Sequence, residues 1–356
     1  MKSGEAFNAT LQDWLNQHWR GTENLRVEGD SLSPAGSGFS ATTLIIPVSY
    51  TRDGWNTRDH VVVRMESDGP PTYPQQSDHF DIEIELQYRA MEVLSGNPGI
   101  PVAPLIGYEA DASILGAPFF AMGYIEGDVP IEQPIYTATG FYAEAAPVQR
   151  TAMIKSGLEV LANIHDIDWQ GAGVDWLLQA TPGIQRQLEI WREFTSRELA
   201  GRKHPVIEAT YDWLLGNTPS GESLCLNWGD ARLGNMIWQD FSCACVCDFE
   251  NIAVASPSMD VGWWLMFDRY AHEAQGVERL PGELTRDEQV AYYERCTGTT
   301  VQDRVFYELF AGARYAAMVV RVMNRWVANG DLPADQTLWL QNPVADMLAN
   351  MLEEFT

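Results

Sequence analysis

The chain has 356 residues, enough to bury one large hydrophobic core or two adjoining ones. Hydrophobic residues make up 46% and charged residues 20% of it, which excludes an intrinsically disordered chain. A formal net charge of −26 argues against general nucleic-acid binding, and no apolar run reaches the roughly 18–20 residues of a spanning helix. We therefore expect a soluble, cytoplasmic protein that binds neither nucleic acid nor membrane.

The N-terminal third has the pattern of a sheet with one helix. It begins with an amphipathic stretch and not with the apolar block of a signal peptide. Segments rich in β-branched residues then predict strands, and one acidic stretch has helical periodicity. In chain order we predict a small-residue turn that leads into a strand within 38–46, a strand at 61–65 paired to it after a turn at 53–54, a loop at 68–78, a helix from about 81 to 95, and strands around 104–108 and 118–125.

The remainder of the chain is mainly helical in pattern. Helical periodicity predicts helices at 148–166, 183–198 and 206–214, and a β-rich island interrupts them from 224 to about 252. A β-rich first third followed by a helical remainder with an embedded hairpin indicates an α+β fold.

Three of the five cysteines, Cys243, Cys245 and Cys247, alternate along the island. In a strand this spacing places all three on one face. Metal sites usually need C-x-x-C loops or nearby histidines, so we expect core thiols in a reducing compartment.

The island also carries the residues with the clearest chemistry. Asp230 and Asn235 are five residues apart in Asn-Trp-Gly-Asp-Ala-Arg-Leu-Gly-Asn, and Asp248 follows in Asp-Phe-Glu after a predicted hairpin. Phosphoryl transfer needs a carboxylate that orients an attacking hydroxyl and oxygen ligands for Mg²⁺. Arg232 stands where a cation could balance charge on the transferring phosphoryl group. The full pattern therefore predicts a kinase catalytic loop.

This pattern resembles the aminoglycoside phosphotransferase and choline kinase-like family, whose motif is H-G-D-x-x-x-x-N followed by D-x-E or D-x-D. It is most similar to the branch that includes the kinase-like domains of acyl-CoA dehydrogenase family members 10 and 11. Further similarity lies at 38–40, 63–64, 116–119, 164–166, 186–187 with Trp191, and 257–264, and so covers most of the chain.

The resemblance implies a two-lobed, protein-kinase-like fold with ATP in the cleft between the lobes. The small sheet lobe would span residues 1–125 and the larger helical, catalytic lobe residues 126–356. Asp230 would orient the substrate hydroxyl, and Asn235 and Asp248 would hold Mg²⁺. Trp228 replaces the usual His before Gly-Asp, and we expect this to change packing and not activity.

The resemblance also implies where the nucleotide binds. Arg64 replaces the phosphate-positioning Lys of ordinary kinases, and its planar guanidinium suits phosphate oxygens. The helix residue that would partner it is Gln87, with Glu83 and Glu85 as alternatives.

Two further segments are predicted to contact ATP. Gly38 and Ser40 belong to a small-residue turn that could cover the phosphates with backbone N–H groups and a hydroxyl. Met122 and Tyr124 would lie in the hinge between the lobes, where backbone groups could contact the adenine edge.

Supporting residues are predicted around the loop. Asp260 would fix it through backbone hydrogen bonds, and Trp263 and Trp264 would pack a core helix. His165 would be structural and bond the carbonyls that end its helix.

The phosphate acceptor is the least determined part of the prediction. Arg314, Arg321 and Arg325 fall near one face of a late helix and would either pair with carboxylates or form an anion-binding wall. The branch favours a hydroxyacyl-CoA or hydroxy acid, and the wider family an amino-sugar or amino alcohol. The alternative is a catalytically idle nucleotide-binding or scaffold protein on the same fold.

Overall fold

The computed structural model describes residues 4–29, 41–67, 69, 71–77, 79, 83–177 and 182–356. The chain forms two compact units, one of residues 1–71 with 79–126 and one of residues 72–78 with 127–356. The first unit is built on a sheet and the second is mainly helical, which confirms the predicted α+β class.

The first unit contains an antiparallel sheet flanked by two helices. Its described elements are α1 (Gly4–His18), β1 (Glu23–Val27), β2 (Ala41–Arg52), β3 (Trp55–Glu66), α2 (Glu83–Ser95), β4 (Leu105–Glu109) and β5 (Phe119–Gly123). Their strand order is β1-β2-β3-β5-β4. The predicted hairpin is confirmed, since Arg52 pairs with Trp55 across Asp53 and Gly54, both of which have positive φ.

The two faces of β3 have different neighbours. Val61 and Val63 belong to a core that includes Trp14 of α1 and Phe119 of β5. Arg64 pairs with Phe120, so it lies on the opposite face, where Tyr88 of α2 contacts the Phe120 ring. Neither α1 nor the short strand β1 was predicted as an element.

The second unit is mainly helical and contains the segment predicted to be the catalytic loop. Its described elements are α3 (Phe141–Glu144), α4 (Pro147–His165), α5 (Ile184–Leu199), α6 (Pro205–Gly216), β6 (Cys225–Asn227), β7 (Met236–Gln239), β8 (Ser242–Val246), β9 (Ala253–Ala255), α7 (Pro257–Arg269), α8 (Arg286–Thr297), α9 (Arg304–Asn329) and α10 (Pro343–Phe355). The predicted helices at 148–166, 183–198 and 206–214 match α4, α5 and α6 within two residues at each end.

Two short antiparallel pairs form the predicted β-rich island. β6 pairs with β9, and β7 pairs with β8 as a hairpin. Cys245 of β8 is buried, and burial raises the pKa of the Cys243 thiol to about 12. Among the described residues, every helix is too short or too polar to cross a bilayer.

Candidate active site

The loop after β6 depends on a glycine at position 229. Gly229 has a φ of +91°, a conformation that side chains with a Cβ rarely adopt. A Cβ built there would lie 1.9 Å from the carbonyl oxygen of Asn251. The chain can therefore make this turn, and place the next residue, Asp230, only with glycine here.

Asp260, in the first turn of α7, fixes the backbone of this loop. Its Oδ2 accepts a hydrogen bond from the Trp228 N–H at 2.6 Å, and its Oδ1 accepts one from the Gly229 N–H at 2.9 Å. The predicted role of Asp260 is confirmed. His165 is structural as predicted, but its ring nitrogens contact Asp260 at 3.1 Å and the Tyr293 hydroxyl at 2.6 Å instead of the carbonyls of α4.

Asp230 is buried, and both of its carboxylate oxygens accept hydrogen bonds. Oδ1 accepts from Trp263 Nε1 at 2.7 Å and from Arg232 Nε at 3.1 Å. Oδ2 accepts from the Tyr73 hydroxyl at 2.7 Å. Burial raises the pKa of Asp230 to about 6 and the nearby Asp248 adds to the rise, whereas side-chain hydrogen bonds from Tyr73, Trp263 and Asn235 oppose it.

Sequence reasoning missed the roles of Trp263 and Tyr73. Trp263 was predicted as core packing only, and it is fully buried, but its indole also bonds the central carboxylate. The spacing contained a signal, because Trp263 lies three residues after Asp260 and so shares its helix face. Tyr73 lies in a segment predicted as a loop, where no pattern distinguishes it.

Arg232 lies between two carboxylates and an aromatic ring. Its Nη1 bonds Glu132, its Nε bonds Asp230, and its guanidinium lies 5.0 Å from the centre of the Phe267 ring. Its side chain keeps 18% exposure. The predicted catalytic cation is therefore beside the predicted base.

A backbone hydrogen bond joins Asn235 to Cys247, the residue before Asp248. The Cys247 N–H donates to the Asn235 carbonyl at 2.9 Å. Trp228 Nε1 donates to the carbonyls of Cys247 and Asp248 at 2.9 and 3.1 Å. Trp228, which replaces the family's His, is therefore buried and links the loop to the segment after β8 by hydrogen bonds.

Arg314 of α9 supports the loop from inside the core. Its side chain has 0% exposure, its Nη2 donates to the Gly229 carbonyl at 3.0 Å, and its guanidinium lies 4.8 Å and 4.4 Å from the rings of Trp191 and Trp263. Burial lowers its pKa to about 10. Arg314 therefore belongs neither to an anion-binding wall nor to a carboxylate pair, whereas Arg321 does pair with Glu198 at 3.6 Å.

Arg314→Lys is expected to lower the free energy of unfolding by about 2 kcal/mol. A lysine keeps the charge but loses the planar contact with two indoles and the aligned hydrogen bond. Urea unfolding measures the loss, with Arg325→Lys on the less buried part of α9 as the matched control, expected to change stability by less than about 0.5 kcal/mol. Equal stability of the two variants would contradict the supporting role of Arg314.

The predicted nucleotide-contacting residues lie in the first unit. Arg64 is half-buried in β3, and Gln87 is buried in α2 with 1% exposure. Glu85 bonds the Tyr108 hydroxyl at 3.2 Å and Arg89 at 3.5 Å. Met122 is in β5, and the N–H of Tyr124 donates to the His60 carbonyl at 3.3 Å. Gly38 and Ser40 lie outside the described residues, so their roles stay predictions.

With this geometry in place, comparison with known proteins identifies similar sequences. The model of the phosphotransferase enzyme family (APH) matches residues 45–298. Acyl-CoA dehydrogenase family member 11 of Pongo abelii is 22% identical over 374 residues, covering 97% of this chain and 45% of the relative. Acyl-CoA dehydrogenase family member 10 of Mus musculus is 28% identical over 183 residues, covering 51% of this chain and 16% of the relative. The chain thus spans less than half the length of either relative.

Solved structures share the fold. A protein of Ralstonia eutropha, described in its crystal structure as a candidate aminoglycoside phosphotransferase, superposes with a TM-score of 0.71 at 24% identity, with 98% of each chain covered. The ternary complex of APH(2")-IIa with streptomycin and ATP superposes with a TM-score of 0.53 at 14% identity, with 90% of each chain covered. At these identities the likeness shows the fold alone.

Proposed function

Because the chain belongs to the phosphotransferase enzyme family (APH), a family of small-molecule kinases, we propose that it transfers the γ-phosphate of ATP to a hydroxyl group with the help of Mg²⁺. One observation carries this proposal. The buried carboxylate of Asp230 is held at both oxygens, five residues before Asn235 and next to the hairpin that leads to Asp248.

Asp230 would act as the group that orients the acceptor hydroxyl and accepts its proton. The acceptor oxygen forms a bond to the γ-phosphorus, the bond to the bridging oxygen breaks, and ADP leaves with that electron pair. Burial brings the pKa of Asp230 to about 6, closer to neutrality than an exposed aspartate, as suits a general base. Arg232, beside Asp230, would balance negative charge on the phosphoryl group.

The residues at the end of the loop fit a magnesium ion. Asn235 Nδ2 donates to the Asp230 carbonyl at 3.1 Å, so a hard cation would take the other end of the amide, Oδ1. Asp248 adds a carboxylate close enough to Asp230 to raise the pKa of that group. Within the described residues no group of three or more His, Cys, Asp or Glu side chains could hold a metal, but Mg²⁺ bound with ATP needs only one or two protein oxygens. When bound, Mg²⁺ would neutralise phosphate charge.

For the acceptor we propose a hydroxyacyl-CoA or related hydroxy acid, with an amino-sugar or amino alcohol as the next class. The names of the two acyl-CoA dehydrogenase relatives support the first class, and streptomycin in the APH(2")-IIa complex supports the second. Arg314 and Arg321 no longer contribute to this choice, because Arg314 is buried and Arg321 contacts Glu198, whereas the predicted part of Arg325 in an anion-binding wall stays a prediction.

Mg²⁺-dependent ADP release against the two acceptor panels tests the proposal. We expect turnover with hydroxyacyl-CoAs above the rate with ATP alone, and none without Mg²⁺. Turnover only with amino-sugars would overturn the acceptor class but keep the kinase. ADP release with neither panel, together with ATP binding that does not depend on Mg²⁺, would favour an idle nucleotide-binding protein.

A further inference from the structure

Residues 72–77 come from the part of the sequence between β3 and α2, yet they belong to the compact unit that holds the catalytic loop. Three bonds anchor them there. Gln76 Nε2 donates to Asn251 Oδ1 at 2.9 Å, and Gln187 Nε2 of α5 donates to Gln76 Oε1 at 2.9 Å. The Ser77 hydroxyl donates to the Trp176 carbonyl. Gln76 and Ser77 are 3% and 1% exposed, so the segment is built into this unit.

Side-chain contacts connect the anchored segment, residues 72–77, to the catalytic loop. Asn251, which accepts from Gln76, donates its own Nδ2 to the Gly229 carbonyl at 3.0 Å. Trp191, one turn after Gln187 on α5, meets the Tyr73 ring edge-on at a centroid distance of 6.4 Å. Gln187 and Trp191 are among the residues that carry the family resemblance, and these contacts show that both side chains hold the anchored segment.

The segment brings one functional group to Asp230. The Tyr73 hydroxyl donates to Asp230 Oδ2 at 2.7 Å, a normal length for a hydrogen bond from a hydroxyl to a carboxylate. Burial raises the pKa of Tyr73 well above its usual value, so the phenol keeps its proton and remains a donor.

We propose that Tyr73 is a positioning residue for phosphoryl transfer, and that its hydrogen bond holds the Asp230 carboxylate in the orientation that receives the acceptor's proton. This inference rests on the proposed function. A carboxylate oxygen has two lone pairs in the plane of the group. Trp263 and Arg232 donate to Oδ1 and Tyr73 donates to Oδ2, and the side chain of Asn235 also bonds this carboxylate. Donors at both oxygens therefore fix the plane of the carboxylate, and Tyr73 supplies a donor at Oδ2.

The consequence is that the Asp230 carboxylate, which acts as the base, keeps one orientation. The acceptor's proton moves to the Asp230 carboxylate as the acceptor oxygen bonds to the γ-phosphorus of ATP, the bond from that phosphorus to the bridging oxygen breaks, and ADP leaves with the electron pair. With Tyr73 in place, the carboxylate cannot rotate to present its oxygens in other directions, because donors hold it at both ends. Removing the hydroxyl frees this rotation, which affects the chemical step and leaves nucleotide binding unchanged.

Tyr73→Phe tests the inference, with Tyr307→Phe as the matched control. Tyr307 is also buried in the second unit and donates its hydroxyl to a carboxylate, that of Glu222 at 3.2 Å, so its variant loses an equivalent bond elsewhere. We expect Tyr73→Phe to lower kcat about tenfold and leave the KM for ATP unchanged, the loss expected for one hydrogen bond to a charged group. Tyr307→Phe is expected to keep the wild-type kcat.

A second readout does not depend on any acceptor. In proton NMR, the hydroxyl hydrogen of Tyr73 should give a downfield resonance that is lost in Tyr73→Phe and in Asp230→Asn but kept in Tyr307→Phe. Absence of that resonance from the wild type, or an unchanged kcat in Tyr73→Phe, would overturn the positioning role. Full turnover by Asp230→Asn would instead overturn the proposed function, whatever the NMR result.

Discussion

Asp230→Asn is expected to lower kcat by at least about 100-fold while the Kd for ATP stays within about twofold of the wild-type value. The amide has nearly the same shape, and its one oxygen can still accept from Trp263 in the place of Oδ1, while its NH₂ group takes the place of Oδ2 and cannot accept from Tyr73. It cannot accept a proton from the acceptor hydroxyl at neutral pH. The loss therefore falls on the chemical step, and calorimetry with ATP and Mg²⁺ measures the binding step separately.

Asp59→Asn in the first unit is the matched control for this substitution. Asp59 also accepts a hydrogen bond from a tyrosine hydroxyl, that of Tyr50 at 3.1 Å, but it lies on β3 away from the motif in sequence. Its variant is expected to keep full turnover. If Asp230→Asn retained most of the wild-type kcat, Asp230 would not be the base.

Asp260→Ala is expected to lower the free energy of unfolding by about 3–5 kcal/mol. The substitution removes a buried carboxylate and leaves the N–H groups of Trp228 and Gly229, together with His165, without their acceptor. Each buried donor left without a partner costs about 1–3 kcal/mol. Urea unfolding measures the change, and kcat is expected to fall as well because the loop loses its fixed geometry.

The control for Asp260→Ala is Asp346→Ala. Both aspartates lie in the first turn of a helix that begins with proline, but Asp346 is exposed. Both aspartates therefore share any favourable interaction with the helix dipole, and only Asp260 of the two bonds the loop that carries Asp230. Similar unfolding midpoints for the two variants would contradict the view that Asp260 holds the loop.

Local sequence patterns predicted those parts of the fold that depend on interactions between residues close in sequence. The β-branched run at 61–65 and the Asp53-Gly54 turn predicted the β2–β3 hairpin because strand register follows the turn, and both turn residues do have positive φ. The spacing of Asp230, Asn235 and Asp248 identified the loop and the hairpin after it. The backbone role of Asp260 was predicted for the same reason, since the motif fixes its place at the start of α7.

Contacts between residues far apart in sequence could not be predicted in this way. Tyr73 bonds a carboxylate 157 positions away, and Arg314 bonds a carbonyl 85 positions away. Three spaced arginines on a helix are normally a solvated or ligand-binding face, so the burial of Arg314 between two indoles overrides the usual expectation for this residue type. The strand β1 was missed because its exposure pattern does not alternate regularly.

The central claim is that this chain transfers a phosphoryl group from ATP to a hydroxyl with Asp230 as the base. Mass spectrometry of the acceptor panels after incubation with ATP and Mg²⁺ tests it most directly, with wild type, Asp59→Asn and Asp230→Asn in parallel. We predict an acceptor that gains one phosphoryl group with the first two proteins, and none with Asp230→Asn or without Mg²⁺. Phosphorylated product formed by Asp230→Asn at the wild-type rate would contradict the claim.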